Sequence, residues 1–75
     1  MKVWAMDFGS GVEKAFTSID KAYQAAGDWL ICQGYSPEDE DEVSLFNELK
    51  ETYEDSKYSG FSVDEVLWCW EVEVE

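Results

Sequence analysis

Histidine and arginine are absent from the 75 residues, and cysteine occurs only twice. Without histidine, the chain lacks the side chain that most often serves as general base and metal ligand near neutral pH. A serine or cysteine nucleophile therefore has no obvious activator. Without arginine, and with five lysines in all, direct binding to nucleic acid is not expected, because phosphate contacts need cations. Two isolated cysteines, Cys32 and Cys69, are too few for a four-ligand zinc site or a disulfide framework. They read as two free thiols, with a single Cys32–Cys69 bond as the alternative. No apolar run approaches the ~20 residues that span a bilayer. The start, Met1-Lys2-Val3-Trp4, has no secretory h-region. A cytoplasmic setting without membrane contact is the expectation.

Acid dominates what is present. Eighteen Asp and Glu against five Lys give a formal charge of −13. The excess is uneven. Residues 1–35 hold three Lys and four acids, a balance of −1, whereas residues 36–75 hold two Lys and fourteen acids, a balance of −12. Such crowding repels itself and disfavours anionic membranes as well as nucleic acid. Four Trp, four Tyr and four Phe supply bulk for one compact core in a chain that has room for one domain, residues 1–75.

Periodicity places the elements. In residues 2–8, Trp4, Met6 and Phe8 share one face of a strand. Gly9-Ser10-Gly11 marks a hairpin turn, and a short second strand follows over 12–16 with Phe16 inward. Ser18 reads as an N-cap, with Asp20 in the first turn of a helix over about 19–33. Its apolar stripe is Ile19, Ala22, Tyr23, Ala26, Trp29 and Leu30, and Gly34 suits the C′ position. Ser36-Pro37 restarts the chain as N-cap and first helical residue. The five acids at 38–42 are a loop or the first turns of a second helix that runs to about Asp55. Its buried stripe is Leu45, Phe46, Leu49 and Tyr53. Residues 65–74 alternate as a long strand, with Val66, Trp68, Trp70, Val72 and Val74 on one face and Leu67, Cys69, Glu71 and Glu73 on the other. The heavier face is expected inside. The fold class is therefore α+β, a three-stranded antiparallel sheet with two helices on one face, in the order ββααβ and with the first strand central.

Chemical motifs are missing. A calcium loop begun at Asp39 would need glycine and an acid where Ser44 and Lys50 stand. Gly9-Ser10-Gly11 lacks the length and lysine of a phosphate loop. Asp7, between Met6 and Phe8, is a lone carboxylate that reads as an outward residue on the solvated face or turn flank. No catalytic residue, metal site or cofactor site is expected, and the expected class is a non-enzymatic one.

Surfaces remain. Glu38, Asp39, Glu40, Asp41, Glu42, Glu48, Glu51, Glu54 and Asp55 fall on the second helix and its approach, with neighbours about 5–6 Å apart where helical. A solvated face explains many such runs, but small domains need a net charge of only about 2–8 for solubility. The excess points to a basic nucleic-acid-binding protein as partner, held in competition with DNA or RNA. In shortness, acidity and tryptophan content the chain resembles small phage and mobile-element inhibitors that mimic nucleic acid, including anti-restriction and anti-CRISPR proteins. That resemblance is compositional and implies an inhibitor acting in a host cytoplasm; it assigns no residue. Two other surfaces qualify as interaction sites. Trp4 or Trp29 could anchor a partner at the core edge. The sheet face carrying Val3, Ala5, Leu67 and Cys69, if no helix covers it, suits a regulatory interaction module or homodimer.

Overall fold

The computed structural model describes residues 1–9, 11–57, 59–63 and 66–74, with Glu13 in backbone only. The elements are β1 (Lys2–Asp7), β2 (Val12–Phe16), α1 (Ile19–Cys32), α2 (Val43–Asp55), β3 (Phe61–Val63) and β4 (Leu67–Glu73). They form one antiparallel sheet in the order β2-β1-β4-β3. The architecture is α+β as expected, but with four strands rather than three, in the order ββααββ. β1 is interior, as expected, and shares that position with β4.

Side-chain chemistry accounts for the first half. Asp7 Oδ1 accepts the N–H of Gly9 at 2.7 Å and of Gly11 at 3.2 Å. The carboxylate thus organises the β1–β2 hairpin by replacing backbone partners in the turn. Ser18 caps α1 by accepting the Lys21 N–H at 3.2 Å. At the other end, Gly34 takes φ 96°. Its N–H bonds to Ile31 O and that of Tyr35 to Leu30 O. This paired closure needs a left-handed residue at C′, which glycine adopts without steric cost.

The restart at Ser36 differs from expectation. Ser36 caps only a turn, accepting the Glu38 N–H on Oγ at 3.2 Å, and α2 begins at Val43. Residues 37–42 are turns and a bend. Five adjacent carboxylates would stack at i, i+3 and i, i+4 in a helix and repel. Asp39 also offers the backbone an alternative by accepting the Asp41 N–H at 2.8 Å.

The core lies between the helices and one sheet face. It comprises Met6, Ala22, Ala26, Leu30, Leu49, Phe61, Val63, Leu67 and Cys69, flanked by Trp4, Phe8, Phe16, Tyr23, Trp29, Leu45, Phe46 and Tyr53 among others. Phe8 stacks on Trp29 at 4.6 Å, and Tyr23 on Tyr53 at 4.1 Å, with Phe61 tilted against both tyrosines. The Trp4 indole N–H is buried, with no hydrogen-bond partner among the described residues.

The faces of β4 are opposite to the expected ones. Leu67 and Cys69 point into the core, while Trp68 and Trp70 lie outside, 39% and 40% exposed. Val66 precedes the strand and packs against the core. The pairing of β3, which the alternation over 65–74 did not include, fixes this choice. Phe61 faces Cys69 and Val63 faces Leu67, so two buried pairs close the core. Both faces of β4 are apolar, and a one-residue shift in phase exchanges them.

The free edge of β3 is sealed by α2. The Thr52 hydroxyl accepts the Ser62 N–H at 2.9 Å and lies 2.8 Å from the Ser62 carbonyl, one of the acceptors for its proton. One turn later, Ser56 Oγ accepts the Gly60 N–H at 3.1 Å and contacts the Gly60 carbonyl. Two hydroxyls at i, i+4 thus take the place of a neighbouring strand.

Candidate functional site

The nine expected partner-binding carboxylates form two adjoining groups. Glu38, Asp39, Glu40 and Asp41 are exposed on the turns before α2, and Glu42 is half-buried, its carboxylate accepting the Ser36 N–H at 3.3 Å. This group stands at the N-terminal end of α2, where negative charge complements the helix dipole. On α2 itself, Glu51, Glu54 and Asp55 are exposed and Glu48 is half-buried. At 3.6 residues per turn these four share about a third of the circumference. They lie opposite the packed stripe of Leu45, Phe46, Leu49 and Tyr53. The structure therefore puts Glu51, Glu54 and Asp55 on the outward side of α2 with Glu48 half-buried beside them, and residues 43–47, which carry no acid, separate this group from the turn.

Cations lie elsewhere or nearby in small number. Met1 N pairs with Glu73 at 3.3 Å and Lys2 with Glu71 at 2.8 Å, both across the β1–β4 pair. The hydrogen bond and charge of Glu71 raise the Lys2 pKa. Burial, aided by the charge of Glu54, raises the Tyr23 phenol. Tyr53, stacked on Tyr23, donates to Asp20 Oδ1 at 2.7 Å and so ties α2 to α1.

Between the helices runs an open groove of about 520 Å³, lined by Tyr23, Gly27, Phe46 and Leu49 with Asp20, Gln24, Asn47 and Lys50 at its polar positions. Its carboxylate, Asp20, is engaged by Tyr53. The thiols are separate: Cys32 is exposed and Cys69 buried, both free. Burial pushes the Cys69 thiol up to about 12, which leaves it protonated and unreactive at neutral pH. Among the described residues, no three Asp, Glu or Cys side chains converge as metal ligands, and no helix is long and apolar enough to cross a membrane.

Trp4 and Trp29 lie at the core edge as expected, but partly buried, and the more exposed tryptophans are Trp68 and Trp70. Likewise the uncovered sheet face keeps Val3 and Ala5 but has Trp68, Trp70 and Val72 beside them, not Leu67 and Cys69. The exposed face was foreseeable only with β3 in hand. No family model matches the chain, and no curated protein or solved structure matches it either.

Proposed function

We propose that the protein is a small acidic inhibitor that occupies the basic groove of a nucleic-acid-binding protein and competes there with DNA or RNA. The observation that supports this reading is that one helix carries both acidic groups, the exposed turn acids 38–41 at its start and Glu48, Glu51, Glu54 and Asp55 along its outward side. From Glu48 to Asp55 the axis advances about 10 Å. Duplex DNA carries one negative charge per ~1.7 Å of axis, so a rigid helix edged with carboxylates supplies a shorter, protein-borne run of the same sign. Complementary charge speeds encounter and makes the complex salt-sensitive. The compositional resemblance to anti-restriction and anti-CRISPR mimics agrees with this reading.

The test is capture of partners from a bacterial lysate on the immobilised protein, with elution by salt and, separately, by duplex DNA or RNA. The expected result is a basic nuclease or related protein released by both. The variant carrying Glu48→Lys, Glu51→Lys, Glu54→Lys and Asp55→Lys should keep its circular dichroism and lose that partner by about a hundredfold or more in affinity, in line with close charge pairs at interfaces. A partner retained equally by the folded variant removes α2 from the mechanism.

A further inference from the structure

We infer that two copies of the chain associate through the sheet face that the helices leave bare. Opposed residues of an antiparallel pair share a face. The registers Val3↔Val72, Ala5↔Trp70, Asp7↔Trp68, Ala5↔Ala15 and Ser62↔Trp68 therefore put Val3, Ala5, Ala15, Trp68, Trp70 and Val72 on the side away from the core.

Charge selects the occupant. The chain carries −13, yet among the described side chains this face holds one carboxylate, Asp7, and that group is turned to the Gly9 and Gly11 amides. A basic partner gains little here. A second copy gains a surface on which, among the described side chains, two acidic chains approach with only the amide-bound Asp7 carboxylate on each.

Shape points the same way. Trp68, Trp70 and Val72 form a ridge along β4, Ala5 beside it on β1 is buried, and Ala15, exposed on β2, leaves a shallow trough at the sheet edge. A two-fold rotation lays each ridge in the partner's trough, the self-complementarity that an isologous interface requires. Sheets packed this way sit about 10 Å apart with interdigitated side chains.

Area sets the strength. Strands of six, five, three and seven residues, about 4.8 Å apart and rising about 3.3 Å per residue, project roughly 330 Å² per copy. The relief of two indoles adds to this, and the contact falls among the small, weak interfaces below ~1,200 Å² of total area. In the resulting helix–sheet–sheet–helix assembly, both acidic helices remain on the outside. The association is independent of the inhibitor reading.

Sedimentation equilibrium of the full chain over a wide concentration range, at low and high salt, tests it. The expected species has twice the 8.6 kDa chain mass, and its association tightens as salt screens the repulsion, opposite in sign to binding through the acidic helix. Two variants address the contact itself. Trp70→Lys removes the ridge. Ala15→Trp, at an exposed position, fills the trough while adding apolar area. Each should raise the dimer Kd by about tenfold or more, as loss of a tryptophan anchor does. Unspecific apolar adhesion would instead be strengthened by Ala15→Trp. A monomer at every concentration, a dimer unchanged or tightened by Ala15→Trp, or association beyond two chains overturns the inference. If Trp70→Lys fails to fold, Ala15→Trp decides alone.

Discussion

Gly27 and Gly60 have opposite surroundings, and substitution should separate them. A Cβ on Gly27, in the middle of α1, meets nothing within 4 Å, whereas one on Gly60 would lie 2.7 Å from the Cys69 carbonyl oxygen. Glycine inside a helix costs roughly 0.5–1 kcal/mol relative to alanine. Gly27→Ala is therefore expected to raise the urea midpoint by an amount near that. Gly60→Ala must push β3 from β4, and overpacking of this kind costs about 1–3 kcal/mol. Both midpoints moving in one direction would show that the packing around these positions is not as described.

At the level of elements, the centre of the covered β3 edge is held by Thr52, one of the two hydroxyls that seal it. Thr52→Val keeps the side-chain shape but withdraws the partner of the Ser62 N–H and C=O. An unsatisfied buried group costs about 1–3 kcal/mol, and Ser62 is part-buried, so the cost falls at the lower end of that range. The expected outcome is a loss of that order in denaturant unfolding, together with faster hydrogen exchange at the Ser62 amide; unaltered exchange there would place the seal elsewhere. This strand was also the element hardest to read in the sequence. Phe61-Ser62-Val63 is too short for a period of two to declare itself, and its partners are found only in space. β1 and α1 were legible because one face of each is apolar and their ends carry turn chemistry at Asp7, Ser18 and Gly34. β4 was legible as a strand but not in phase, since Leu67 and Cys69 compete with Trp68 and Trp70 for the interior. Among the acidic candidates, the helical set followed from its spacing against Leu45, Leu49 and Tyr53. The conformation of 38–42 did not, because Ser36-Pro37 is compatible with either a helix start or a turn. The partial burial of Trp4 and Trp29 depended on neighbours, Phe8 among them for Trp29, that no local pattern specifies.

For the molecule as a whole, an excess of −13 in 75 residues opposes compaction. Added monovalent salt should raise the thermal midpoint steeply from low ionic strength and level off as the Debye length falls below about 10 Å. Calorimetry along a salt series measures this, and a flat series would mean that the carboxylates are too far apart to interact. The sheet order has a different consequence, for the way the chain acquires its structure. Its two interior strands, β1 and β4, are the earliest and latest in the sequence, and they pair along their whole length from Lys2↔Glu73 to Asp7↔Trp68. Loop closure between them must precede any reward from the contact, which slows folding. An amino-terminal portion emerging during synthesis has the β1–β2 hairpin and α1 but no wall to close them against. The pairing of the first strand with the last thus predicts that proteolytic loss of β4, which takes Leu67 and Cys69 from the core, dismantles the fold rather than trims it.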